Sequence, residues 1–325
     1  MNDTGGSWVR EPTRGGFTTM RSVLADAEAR LTSARVPSPA YDAGELMAYV
    51  LGVPRSRLVL SELLPSDQRV RFEALLSQRL SRVPLQHLTG KAGFRRIDVL
   101  VGPGVFVPRP ESELVTEAAI RALRKIPANQ GDRRIAVDLC TGSGAIALSL
   151  AIEAGDSQVY AVEADDGAAR WAQRNIDALA DRVSDAGSAV SLVHADALTC
   201  ASGNGELSHL VSSVDLVICN PPYIPDWAVP RDAEVREHDP PRALYGGEDG
   251  LDIVRGVAVA AAALLGPGGV FVVEHGDLQG ESAGELGVPF HLREQVSDEG
   301  ERMWSKVSDH PDLNGRSRYC IALKA

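Results

Sequence analysis

Apolar residues follow two different periods along the chain. Between residues 20 and 82 they recur at helical spacing: Met20, Val23, Leu24, Ala27 and Leu31 form one stripe, and Ala43, Leu46, Met47 and Val50 form a second. A short third stretch carries Leu58 and Leu60, and Val70, Phe72, Leu75, Leu76 and Leu80 form a fourth. Three-and-four spacing places such residues on one face of a helix. Thr19 and Ser66 are N-cap residue types, while Pro37, Pro39, Gly52 and Pro54 supply the breaks. The pattern predicts a compact helical bundle over 19–83 with no catalytic cluster, which suits it to recognising a partner or merely to stabilising the chain. Residues 1–18, rich in Gly, Thr and charge, are expected to form a flexible tail.

Over 84–110 the pattern becomes β-prone and glycine-punctuated. Ile97–Val101 and Val105–Val107 predict a β-hairpin linker. A helix then starts at Pro108-Arg109-Pro110-Glu111, with Glu111 and Glu113 in the first turn where the helix dipole favours acid. From residue 111 to 325 continuous apolar strands alternate with helices. Strands are expected at Ile135–Leu139, Gln158–Glu163, Val190–His194, Leu216–Cys219, Gly269–Glu274, Phe290–Val296 and Tyr319–Leu323, with helices at Ala145–Ala154, Asp166–Leu179 and Leu251–Leu265. That alternation predicts an α/β domain with a doubly wound parallel sheet, whose ligands sit at the carboxyl ends of the strands.

Composition narrows the classes of function. The 325 residues carry 33 basic and 44 acidic side chains, a net charge of -11. The imbalance argues against holding long nucleic acid by its backbone, so no direct nucleic-acid binding is expected. The charge is uneven: 15 basic and 10 acidic residues over 1–110, against 18 and 34 over 111–325. Cys140, Cys200, Cys219 and Cys320 form no CxxC pair and show no metal-ligand spacing with His, so neither a zinc site nor a disulfide framework is expected. The first residues hold no apolar signal segment, and the longest apolar run, Val257–Leu265, is far short of the ~20 residues of a membrane span. A soluble, cytoplasmic monomer without a membrane partner is the expectation.

Three segments carry chemistry. Asp138-Leu139-Cys140-Thr141-Gly142-Ser143-Gly144 joins the first strand to its helix, with glycines where a backbone must approach a ligand. Glu163 ends the next strand, where an acid can accept both hydroxyls of a ribose. Ala147 stands where a dinucleotide fingerprint would place a third glycine, and no Lys makes a P-loop, so a nucleoside without pyrophosphate fits better than NAD or ATP. Asp196, after the third strand, is either an adenine acceptor or a turn-forming Asp. Asn220-Pro221-Pro222-Tyr223 follows the fourth strand. Two prolines stiffen the backbone there, Asn220 offers an acceptor and a donor in one plane, and Tyr223 offers a flat face for a planar amide or base. His238 and His275 are base candidates only by residue type.

These motifs resemble the class I methyltransferases that act on nitrogen conjugated to a planar system. Within them the chain is similar to the release factor glutamine N5-methyltransferase family (HemK/PrmC). The specific support is Pro84-Leu85-Gln86-His87-Leu88-Thr89-Gly90, Val107-Pro108-Arg109-Pro110-Glu111-Ser112-Glu113, Ala243–Leu251 and Asp312–Arg318. Ser112 stands where the family usually has Thr, Glu163 where Asp is common, and Ala197 where an aromatic is common, which would loosen adenine packing. The resemblance implies a Rossmann-like methyltransferase domain that uses S-adenosyl-L-methionine and releases S-adenosyl-L-homocysteine. By that resemblance Asp138, Cys140, Thr141, Gly142, Ser143, Gly144, Glu163, Asp196, Ala197 and Asn220 bind the cofactor. Asn220, Pro221 and Tyr223 would be catalytic, and Asn220–Tyr223 would receive the glutamine of a Gly-Gly-Gln loop in peptide chain release factors. The mildly basic front of the chain is then the place to expect contacts with an acidic protein partner. A ribosomal-protein glutamine methyltransferase, a nucleic-acid methyltransferase acting on adenine N6 or guanine N2, and a non-catalytic cofactor-binding subunit are the alternatives. The last is disfavoured by the intact Asn220 and Tyr223.

Overall fold

A computed structural model describes residues 19–60, 63–127, 133–297 and 299–325; the expected tail over 1–18 lies outside them. The chain divides into two compact units, Met1–Thr89 and Gly90–Ala325. No helix among the described residues is long and apolar enough to cross a membrane.

The first unit packs α1 (Met20–Ser33), α2 (Pro39–Leu51), α3 (Ser66–Leu80) and α4 (Leu85–Thr89), with a 3-10 turn at Arg55–Leu60. Thr19 caps α1 by accepting from the Ser22 amide. Ser66 is instead the first residue of α3, and Pro65 precedes it without a side-chain cap. The stripes converge as their spacing predicts: Ala27, Leu31, Leu46, Met47, Phe72 and Leu76 are wholly buried together. Leu85 and Leu88 join this core through α4, inside the segment that β-prone spacing had marked as linker. The Arg79 guanidinium and the Asp42 carboxylate meet at 2.7 Å within it, both nearly sealed from water.

The second unit opens with a hairpin of β1 (Lys91–Phe94) and β2 (Ile97–Leu100), turned by Arg95 and Arg96 with Arg95 at φ 51°. Val105–Val107 was the expected second strand. Val105 and Val107 are buried, but the segment is irregular, because Lys91–Phe94 already pairs with Ile97–Leu100. Arg95 reaches back to Glu153 at 2.7 Å and Glu117 at 2.6 Å, which ties the turn down.

There follow α5 (Pro110–Lys125), β3 (Arg134–Leu139), α6 (Ala145–Ala154), β4 (Ser157–Glu163), α7 (Asp166–Ala178), α8 (Ala180–Asp185), β5 (Ala189–His194) and β6 (Val214–Cys219). The chain continues through α9 (Ala233–His238), α10 (Asp252–Leu264), β7 (Leu265–Glu274), α11 (Val288–Glu294), β8 (Trp304–Pro311) and β9 (Ser317–Lys324). The main sheet runs β5-β4-β3-β6-β7-β9-β8. The first five strands are parallel, and β9 and β8 are antiparallel additions. Alternate strand residues feed two cores on opposite faces: Val137, Val217 and Phe271 pack with α10 and α11, and Ala136, Val159 and Leu216 pack with α5, α6 and α8. This is the doubly wound architecture expected, with a mixed rather than wholly parallel sheet.

One expectation fails at the far edge, and one strand there was not foreseen. Phe290–Glu294 is helical, not a strand, and only Val296 makes an isolated bridge, to Arg302: Pro289 suits a first helical turn, and Val288 and Leu292, four apart, are buried. The strand there is β8, whose sequence is mostly polar because it is an edge, with only Trp304 buried. The unit boundary also redistributes charge. Residues 1–89 carry 11 basic and 9 acidic side chains, and residues 90–325 carry 22 and 35. Most of the positive excess of the front therefore belongs to the hairpin segment.

Candidate functional site

The carboxyl ends of β3, β4, β5 and β6 open onto a cavity of about 680 Å³. It gathers Cys140–Ser143, Glu163, Asp196, Ala197 and the whole Asn220–Tyr223 segment into one wall.

On one side the chain leaves β3 through a tight turn. Cys140 and Gly142 both take positive φ, at 61° and 58°, and Gly144 at φ 81° starts α6. A Cβ at Gly142 would meet no protein atom within 4 Å, so the space above it is the cavity itself. The Glu163 carboxylate accepts from the Gly142 amide at 2.8 Å and from the Asp165 amide at 2.9 Å, which fixes it at the end of β4. Asn175 of α7, buried, bonds the Ser143 carbonyl and both backbone groups of Leu100, linking the turn to the hairpin.

Asp138 is not part of the wall. It lies wholly buried behind the turn, where its Oδ2 accepts from the Thr141 hydroxyl and the Ala147 amide and its Oδ1 has no partner. Burial raises its carboxyl to about 7 despite those two donors. Asp196 does line the wall, and one of its oxygens caps the following turn by accepting from the Leu198 amide at 2.9 Å.

On the other side Asn220 leaves β6 into the double proline. Asn220 Nδ2 donates to Ser112 Oγ at 3.0 Å, and the Tyr223 hydroxyl donates to Glu274 Oε1 at 3.4 Å. Glu274 is buried at the end of β7, and burial pushes its carboxyl up to about 7. Tyr223 is raised as well, by burial first and then by the charge of Glu274. The backbone of the segment is braced from behind. Gln279 Nε2 donates to the Tyr223 carbonyl at 3.0 Å. A Cβ at Gly246 would stand 2.6 Å from the Pro222 carbonyl oxygen, and one at Gly250 would stand 2.4 Å from that of Tyr223. These two contacts explain why the Ala243–Leu251 segment is glycine-rich. Arg109 pairs with Asp239 and lies over the Phe106 ring at 4.8 Å, so the proline-arginine-proline segment frames the mouth.

His275 lies wholly buried beneath the wall. Its Nδ1 faces the Gly276 carbonyl at 2.8 Å and its Nε2 faces Asp309 Oδ1 at 3.2 Å. Asp309 is held down near 2 by His275 and Ser317 in spite of burial. Cys320 lies within 4.8 Å of both groups, and burial raises its thiol above the ordinary range. His275 follows β7, Asp309 lies on β8 and Cys320 on β9, so the trio brings the three strands together. Ser112, Asn175, Glu274, Gln279 and Arg318 escaped the motif-based reading. Of these only Ser112 and Arg318 fall within the family-like segments Val107–Glu113 and Asp312–Arg318, and the one signal for Glu274 is an acid ending an apolar strand.

Residues 22–90 match a family model described as the PrmC N-terminal domain, and residues 85–237 match one described as conserved hypothetical protein 95. A release factor glutamine methyltransferase of Streptomyces coelicolor is 46% identical over 306 residues, covering 93% of this chain and 97% of that protein. The enzyme of the same name from Bifidobacterium longum is 39% identical, covering 93% and 98%. A 4-amino-L-phenylalanine/4-methylamino-L-phenylalanine methyltransferase of Streptomyces pristinaespiralis is 33% identical, covering 91% and 92%.

Proposed function

The chain belongs to the release factor glutamine methyltransferase family, and from that premise we propose how its cavity performs the reaction. The enzyme transfers a methyl group from S-adenosyl-L-methionine to the side-chain amide nitrogen of the glutamine in the Gly-Gly-Gln motif of peptide chain release factors. The open space above Gly142, the acid at the end of β4 and the lack of a P-loop lysine after the Gly142 turn suit a nucleoside that carries no pyrophosphate. Cys140–Gly144 would hold its methionine part, Glu163 its ribose, and Asp196 with Ala197 its adenine. When bound, the cofactor supplies a methyl group already activated by a positive sulfur.

An amide nitrogen is a weak nucleophile because its lone pair is delocalised, so alignment must supply much of the rate. Asn220 Oδ1 and the Pro221 carbonyl accept the two amide hydrogens and aim the nitrogen, while the Tyr223 ring packs on the amide plane. The prolines keep these acceptors from turning away. The observation that carries the reading is the meeting of the Gly142 turn, Glu163 and Asn220–Tyr223 in one cavity. Incubation with labelled S-adenosylmethionine and a release factor, followed by mapping of the methylated atom, should place the label on the Gly-Gly-Gln glutamine. Label on RNA or DNA alone would overturn it.

A further inference from the structure

The substrate side of the cavity holds a buried acid that the motifs do not account for. Glu274 is 2% exposed, and its Oε2 has no hydrogen-bond partner. A carboxylate oxygen sealed from water without a donor is costly. Ser112, also 2% exposed in the first turn of α5, accepts from Asn220 through Oγ, which leaves its hydroxyl proton uncommitted. Among the groups around Glu274, the Ser112 hydroxyl favours its charged form most, ahead of Arg318.

We propose that Glu274 is a positioning residue that sets both substrate-facing side chains of the Asn-Pro-Pro-Tyr segment, Asn220 through Ser112 and Tyr223 directly. Donation runs from Asn220 Nδ2 to Ser112 Oγ at 3.0 Å, and the uncommitted Ser112 hydroxyl is the donor that the orphaned Glu274 Oε2 calls for. With Nδ2 anchored on Ser112, Asn220 presents Oδ1 to the cavity, the atom able to accept an N–H from a glutamine amide. The inference deepens the functional reading above and rests on it.

The same chain has a reverse polarity. A protonated Glu274 donates to Ser112 Oγ, and the Ser112 hydroxyl then donates to the Asn220 oxygen. The amide turns over and offers the substrate nitrogen a second donor instead of an acceptor. Burial, together with Glu111 of α5, raises the Glu274 carboxyl to about 7; Ser112, Arg318 of β9 and the neighbouring His275 oppose the rise, and Tyr223 shares its proton with Oε1. The reversal therefore falls near neutral pH.

The test is single-turnover methyl transfer to a release factor at saturating labelled cofactor, over roughly pH 6 to 9. The wild-type rate should fall on acidification through about pH 7, and Glu274→Gln should abolish that limb. Ser112→Ala should lower kcat at least about tenfold with KM for the release factor nearly unchanged, and Ser112→Thr, which keeps the hydroxyl, should restore it. An acid limb that persists in Glu274→Gln, or full kcat in Ser112→Ala, would overturn the proposal. The two Ser112 variants decide it if Glu274→Gln does not fold. A wild-type protein that methylates no release factor would instead defeat the functional reading.

Discussion

Asp138 and Glu274 each end or nearly end a parallel strand, each is sealed from water, and each is pushed to about 7 by burial. They serve the two halves of the cavity in different ways. Asp138 accepts from a hydroxyl three residues on and a backbone amide nine residues on, so it fastens one local turn. Glu274 engages Tyr223, 51 residues away, and lies beside Ser112 and Arg318, so it gathers side chains from three separate segments. The half proposed to hold the cofactor is thus built from backbone geometry that neighbouring residues enforce. The half proposed to hold the substrate is built from side chains that only the finished sheet brings together.

Substitutions on either side should separate accordingly. The largest effect is expected on the substrate side: Asn220→Ala should lower methyl transfer on the order of a hundredfold while calorimetry finds cofactor affinity nearly intact. Cofactor affinity falling in parallel would erase the division. Gly142→Val should do the reverse, weakening cofactor binding roughly thirtyfold, because a branched side chain at φ 58° is strained and its Cβ enters the cavity. Transfer rates measured at saturating cofactor should then recover. Glu163→Ala removes the acceptor of two backbone amides and of the proposed ribose contact, and a titration should show affinity reduced by about tenfold.

The smallest effect concerns stability. Asp138 has a folded value above its ordinary 3.8, so its contribution is full below that pH and is lost as pH rises through about 7. Asp138→Asn should therefore flatten part of the decline in denaturation midpoint between those limits. Glu274 and Asp239, both also raised by burial, keep the remainder. An unchanged slope would show that Asp138 does not titrate in this window.

This division also explains what could be read from the chain beforehand. Helical stripes such as Ala27, Leu31 and Leu46 follow a local period and were legible, as were the apolar strands β3, β4, β5, β6 and β7. The turn at Gly142 and the stiff Asn220–Tyr223 segment announce themselves within a few residues. Ser112 and Glu274 do not, since each is an ordinary residue for its element until β6 and α5 are side by side. The edge of the sheet failed for a related reason. Strand β8 buries one residue and carries almost no alternation, whereas Phe290 and Leu292 mimic alternation inside a helix.

The antiparallel placement of β9 carries a consequence for folding order. It pairs with β7 on one side and β8 on the other, and its first residues lie against Glu274, with Tyr319 opposite that acid. The Glu274–Tyr319 pairing spans 45 residues of sequence, so Glu274 is enclosed only once the chain has returned across that stretch. Until it forms, Glu274 stands in water as an ordinary acid, charged and unselective. The chemistry proposed for the substrate half is therefore acquired only when β9 closes on β7, and a chain lacking that pairing would lack the dry acid proposed to set Asn220.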